Sequence, residues 1–236
     1  MSNTKTKAQK IEGWIRYGLM ALTAIAYVIV WIRFDVPFLK ILPLFVSLFV
    51  MMLQAKVSRV GYLLGGANSI LYAIIYISTG IYASAASALL FSFPIQIVTF
   101  LRWRKHSFEN STVLRRMSAK GRVLSTLLFL AAWGATLGVL KLAGSDFAIL
   151  DTSSSILGIA VSLLVMFAYI EYAPLWLLSN ILSLSLTLQV VFSGDITFLP
   201  YTIAGIYNLL CTIYALFNVF RLYRIQNSNP EKGESI

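Results

Sequence analysis

One cysteine and one histidine stand among the 236 residues. Cys211 has no second thiol with which to form an internal disulfide, and its place in an apolar run makes it a small core side chain. His106 sits in a basic loop, so the chain has neither a Cys/His metal cluster nor a placed histidine base. Acids are scarce too: nine Asp and Glu against nineteen Lys and Arg, most of them in loops or tails. Asp151 and Glu171 flank one apolar segment. Only Asp151 could serve as an ionisable group within the membrane, which disfavours proton or sodium coupling. No phosphate-cradling glycine loop is present. These absences argue against an enzyme, and no cofactor or metal is expected.

What fills the chain is apolar. Hydrophobic residues make up 58% and charged residues 12%, the mean hydropathy is +0.80, and the apolar runs approach the ~20 residues that cross a bilayer. The fold class is therefore an all-α polytopic membrane protein. Eight apolar segments are expected, roughly 14–33, 37–56, 61–78, 82–102, 122–142, 150–170, 174–192 and 198–220. Turn signals separate them, among them Asp35-Val36-Pro37, Ser78-Thr79-Gly80, Gly144-Ser145-Asp146 and Ser193-Gly194-Asp195. Pro43, Pro94 and Pro200 fall inside or at the start of segments, and Pro94, two residues before Gln96, is placed to loosen a helix turn.

The net charge of +10 suits basic cytoplasmic loops, and no nucleic-acid partner is expected. With a cytoplasmic N-terminus and eight spans, sixteen Lys and Arg fall on the cytoplasmic side and only Arg33, Lys40 and Lys141 on the other. Both termini are then cytoplasmic. Lys5, Lys7 and Lys10 precede Glu12 and Gly13 without a small-residue cleavage site, so the N-terminus reads as a retained tail.

The longest polar connection, 103–121, divides the chain. Residues 1–36 form a tail and an additional helix, 37–102 a first three-helix unit, 103–149 a basic loop and linking helix, 150–224 a second three-helix unit, and 225–236 a tail. A single linking helix lets two three-helix units run parallel, and substrate sites lie at such repeat interfaces. Amides mark the units. Asn68 and Asn180 lie 112 positions apart, and each is followed 28 positions later by a second amide, Gln96 and Asn208. An unpaired amide in hydrocarbon costs several kcal/mol, so these four need partners: a central site, or merely neighbouring helices pinned at about 0.6 kcal/mol per bond. Asn68, Tyr72 and Tyr76 share one helix stripe, as do Trp176 and Asn180, while Tyr207 adjoins Asn208. Ring faces with amide donors and acceptors suit a flat heterocycle carrying a hydroxylated sugar. The substrate-binding candidates are thus Asn68, Tyr72, Gln96, Trp176, Asn180, Tyr207 and Asn208. Ser153, Ser154, Ser155, Ser183 and Ser185 read as small helix-packing residues.

Pro174-Leu175-Trp176-Leu177-Leu178-Ser179-Asn180, Pro94-Ile95-Gln96-Ile97 with Trp103, and Tyr207-Asn208 resemble the PnuC family of bacterial vitamin-precursor transporters over about residues 37–224. The resemblance implies a SWEET-like fold of three, one and three helices in the bacterial inner membrane. It also implies uptake of nicotinamide riboside by facilitated diffusion, with a cytoplasmic kinase trapping the product and no necessary contact with that kinase. The family pattern Trp-x-x-Trp-x-x-x-Asn is met by Trp176 and Asn180, but Ala173 replaces its first tryptophan. That departure keeps a deoxynucleoside or thiamine open as substrate. A non-transporting membrane receptor or a membrane enzyme is the remaining alternative, disfavoured because no nucleophile–base pair or ligand cluster is spaced for it. The sequence leaves oligomeric state open, a homo-oligomer included, as well as the role of the first helix.

Overall fold

The computed structural model describes residues 7–34, 38–78, 88–108, 111–142, 148–194 and 199–228. Among these residues the helices are α1 (Lys7–Phe34), α2 (Phe38–Ala55), α3 (Val60–Ser78), α4 (Phe93–Lys105), α5 (Ala119–Leu142), α6 (Ala148–Met166), α7 (Tyr172–Phe192) and α8 (Leu199–Ser228). Each expected segment meets one of them. The start of the fourth segment, the side chain of Tyr76, three of the loop turns and the tail beyond 228 lie outside the described residues. Helices are the expected outcome, because a chain in hydrocarbon must satisfy its own backbone. Five contain a stretch long and apolar enough to cross a bilayer: Gly13–Phe34, Ala119–Val139, Ala148–Met166, Tyr172–Phe192 and Leu199–Ser228. The apolar parts of α2 and α3, Ile41–Ala55 and Val60–Ile74, are shorter. The protein is a multi-pass membrane protein.

A π turn, Ala88–Ser92, leads into α4. Pro94 follows at once, and a residue without an N–H whose ring crowds the preceding turn is accommodated where the helix is widened. Pro200 is the second residue of α8, where the missing N–H costs nothing.

α2 and α6 end alike. Val57 and Ala168 adopt φ of 56° and 58°, the left-handed conformation that closes a Schellman motif. At the first turn Ser58 N donates to Leu53 O and Val57 N to Gln54 O; at the second Tyr169 N donates to Leu164 O and Ala168 N to Val165 O. The next helices then open with matched bonds, Gly61 N to Ser58 O and Tyr172 N to Tyr169 O. Every corresponding pair is 111 positions apart (57 and 168, 61 and 172). That register differs by one residue from the 112 that separates Asn68 and Asn180.

α3 packs between α2 and α4, and α7 between α6 and α8. Across these triplets α4 meets α6 and α8 meets α2. α1 lies against α8 and α2, and α5 lies along α6. Nothing of the apolar stretch of α5 is buried within the chain; its contacts with α6 include Trp133 Nε1 to Ser153 Oγ at 2.9 Å. One apolar cluster gathers Tyr62, Trp103, Leu157, Val165, Tyr172 and Val219; a second gathers Tyr27, Leu44, Leu48, Tyr207 and Cys211. Trp176 packs against both.

The polar connection after α4 is tightly bonded. Two-residue strands β1 (Ser107–Phe108) and β2 (Ser111–Thr112) pair antiparallel, Ser107 with Thr112. Arg115 then forms a parallel bridge to the α6–α7 turn: its N–H donates to Ala168 O and its carbonyl accepts from Ile170 N, both at 2.9 Å. Glu171 accepts from Met117 N at 3.1 Å and pairs with Arg122 at 2.7 Å. Gln226 of α8 accepts from Leu114 N and donates to Thr112 O, both at 2.9 Å.

Candidate functional site

A cavity of about 420 Å³ opens between α4 and α6. Its walls are Phe91, Ser92, Ile95, Gln96 and Thr99 on one side and the α6 face from Ser154 to Val165 on the other. Gln54 of α2, Tyr62 of α3 and Trp176 of α7 complete it. One end is shut by packing. Trp103 Nε1 donates to Val165 O at 3.0 Å, and the Tyr62 ring stands edge-on to Trp103 with centroids 4.7 Å apart.

The polar wall is built from α2, α3 and α4 together. Gln54 Nε2 donates to Gln96 Oε1 at 3.2 Å, and Gly61 O lies 3.4 Å from the same nitrogen. Both contacts need α3 to come close. A Cβ on Gly65 would lie 2.0 Å from Gln96 Oε1, and one on Gly61 would lie 2.8 Å from Gln54 N. Only glycine leaves room for the two glutamines there. The Gln96 NH2 makes no hydrogen bond among the described residues, so it can donate to a bound molecule. The Tyr62 hydroxyl is buried without a partner among them. Ser162 and Thr99 bond back to carbonyls of their own helices, Gly158 O and Ile95 O, and their oxygens can still accept. Ser155 Oγ lies 3.3 Å from Asp151 Oδ1. Among the described residues the lining holds amides, hydroxyls, aromatic rings and aliphatic side chains, with no charged group.

The sequence candidates fall in four places. Gln96 and Trp176 share the cavity. Asn68 and Tyr72 face α2 instead: Asn68 Nδ2 donates to Ser47 Oγ at 2.9 Å and Pro43 O at 3.2 Å, and Tyr72 Oη lies 3.4 Å from Ser47 Oγ. Asn180 Nδ2 folds onto Trp176 O at 2.9 Å, within its own helix. Tyr207 donates to Leu48 O at 2.9 Å, joining α8 to α2, and Asn208 beside it is half-buried. Asn68, Asn180 and Asn208 lie outside the described lining. Ala173 is buried in the Trp103–Tyr172 cluster rather than on the cavity.

Sequence reasoning passed over Gln54, Tyr62, Thr99 and Ser162, and it read Ser154 and Ser155, which line the cavity, as helix packing. Gln54 carried the same signal as Asn68, an amide in an apolar run, masked by its nearness to Lys56 at the segment end. The serines carried none beyond their small size. Among the described residues no group of three or more His, Cys, Asp or Glu could hold a metal ion.

Comparison with known proteins is consistent in kind. The model of a family described as nicotinamide mononucleotide transporter matches residues 37–225. The nicotinamide riboside transporter PnuC of Neisseria mucosa is 29% identical over 177 residues, 72% of this chain. The match spans 66% of that protein, just under two thirds of its length. The crystal structure of the vitamin B3 transporter PnuC superposes with a TM-score of 0.72 over 89% of this chain and 92% of that one. At 20% sequence identity, that likeness is one of fold.

Proposed function

We infer, from the premise that this chain belongs to the nicotinamide mononucleotide transporter family, that it carries a nucleoside-like vitamin precursor through the α4–α6 cavity, with nicotinamide riboside as the leading cargo. The observation that carries this choice is the uncharged described lining of that cavity. A phosphate dianion in a low-dielectric pocket needs cations beside it, and without them its desolvation is not repaid. A nucleoside asks only for what is present. The pyridinium ring of the riboside can lie against Trp176, where cation–π attraction favours it. Its carboxamide and ribose can bond Gln96, Gln54, the Tyr62 hydroxyl and the α6 serines. The volume falls within the ~300–1,000 Å³ of small-molecule sites.

In this reading residues 37–102 and 150–224 are the two three-helix units, 103–149 the link between them, and 1–36 an additional helix at the side. The matched turns after α2 and α6 support that division. The units rock about the cavity, and transport is facilitated diffusion made one-way by a cytoplasmic kinase. With the basic end cytoplasmic, in a bacterial inner membrane, the Trp103–Val165 contact closes the cytoplasmic end, and release inward requires α4 and α6 to part there.

Counterflow in proteoliposomes containing only this protein tests it. Vesicles are preloaded with unlabelled nicotinamide riboside, nicotinamide mononucleotide, thymidine, deoxyadenosine or thiamine and given the matching labelled compound. The expected result is accumulation of the riboside, unaffected by collapsing ion gradients, and none of the mononucleotide. Equal exchange of the mononucleotide would overturn the argument from the uncharged lining. Exchange of thymidine or thiamine in place of the riboside would reassign the cargo, and no exchange at all from folded protein would end the transport reading.

A further inference from the structure

Asp151 stands half-buried in the first turn of α6, just beyond the lining of the α4–α6 cavity. Its carboxylate accepts a hydrogen bond from Ser155 Oγ at 3.3 Å, one helix turn further along. Ser155 lines the cavity, together with Ser154, whose Oγ donates to Asp151 O at 3.2 Å. At that end Ser155 and Phe91 are exposed, whereas Tyr62 and Trp103 are buried at the other. The carboxylate therefore lies at the open end. One helix turn is about 5.4 Å, which puts it roughly 5–8 Å from a molecule held beside Ser155.

Among the described residues no cation answers it, the ion pair found there being Arg122 with Glu171. α6 packs against α4, α5 and α7. Of the basic residues on those helices Lys141 alone falls towards this end, and it is exposed and outside ion-pair distance. Neither 79–87, before the π turn, nor 143–147, before α6, contains Lys or Arg. In the proposed topology the whole outer face has the same sign: all four Asp fall there, against Arg33, Lys40 and Lys141. The five Glu lie on the cytoplasmic side.

A carboxylate at the mouth of a low-dielectric cleft concentrates cations in it. Ser155, its hydrogen spent on Asp151, has only lone pairs left for the cavity, which suits the positive edge of a ring. We propose that Asp151 raises the affinity of the α4–α6 cavity for a positively charged heterocycle. The pyridinium of nicotinamide riboside carries such a charge, so the proposal rests on the function inferred above and adds the residue that reads that charge. A carboxylate in a first turn also stabilises its helix through the dipole, and the test separates the two roles.

The full chain is reconstituted in uncharged phosphatidylcholine vesicles as wild type, D151N and D151E. Initial counterflow of nicotinamide riboside is measured against its concentration at about 10 mM and about 1 M salt, where the screening length is about 30 Å and about 3 Å. At low salt D151N should raise KM by roughly fivefold and leave the maximal rate unchanged, while D151E stays close to wild type. At high salt the wild-type KM should rise to meet that of D151N. An unchanged KM in D151N at low salt overturns the proposal, as does a loss shared by D151E or undiminished by salt. A fall in maximal rate with a lower thermal midpoint makes Asp151 a helix-stabilising residue and overturns it too. Should D151N fail to fold, wild type alone decides, and a KM indifferent to salt overturns the proposal. Exchange by wild type with KM unmoved in D151N sinks this inference alone; no exchange of the riboside by wild type sinks the cargo assignment with it.

Discussion

Replacing Gly65 by alanine forces Gln96 to move, because the added methyl would lie 2.0 Å from its Oε1 and 2.7 Å from its Cδ. Gln96 then leaves both Gln54 and the cavity wall. If Gln96 bonds the cargo, G65A and Q96A each lower counterflow by roughly tenfold, the worth of one hydrogen bond of about 1.4 kcal/mol. The double variant G65A/Q96A should fall no further than Q96A, since both changes remove one interaction. Additive losses would show that Gly65 acts elsewhere. At this scale the sequence was only partly legible. It picked out Gln96 and Trp176 because an amide or indole in an apolar run is conspicuous. It could not tell a cavity amide from a packing amide. Asn68 spends its NH2 on Ser47 and Pro43, and that choice rests on which face of α3 it occupies. The spacing of 112 between Asn68 and Asn180 looked like a repeat, yet the turns recur at 111. One residue on a helix is a rotation of about 100°, so the two asparagines face different surroundings.

At the scale of elements, the eight helices were legible because hydrocarbon leaves the backbone few other options. Their ends were less so. α1 begins at Lys7 and α8 runs on to Ser228, where polar residues hide continuing helix. α6 stops at Met166 with Ala168 in the left-handed region, a stop for which glycine would have been the signal. One contact between α4 and the end of α6 runs through the Trp103 indole. W103F keeps the ring against Tyr62 but strips Val165 O of its side-chain donor. That change should destabilise the protein by about 1–3 kcal/mol, read as a lower thermal midpoint in detergent. An unchanged midpoint would mean the helices are held without it.

Sidedness belongs to the whole molecule. Sixteen of nineteen basic residues fall on one side of the proposed topology, and that excess orients a membrane protein during insertion. Cys211 is the single cysteine, so C211A gives a background for labelling. In intact cells a membrane-impermeant maleimide should label S193C and spare R104C, which reacts only after permeabilisation; the reverse pattern would invert the topology. What no reading of the whole sequence could supply is the bonding of residues 111–118, because main-chain pairing such as that of Arg115 with Ala168 and Ile170 leaves no mark on side-chain pattern.

A connection between two helices is ordinarily where a chain absorbs inserted or deleted residues. From Ser111 to Ser118 the described bonding leaves no such slack. Thr112 and Leu114 are counted against Gln226, Arg115 against Ala168 and Ile170, and Met117 against Glu171. One extra residue between Leu114 and Arg115 would keep the first pairing and slide the other two out of step. Length between Thr112 and Met117 is as constrained as it is within a helix.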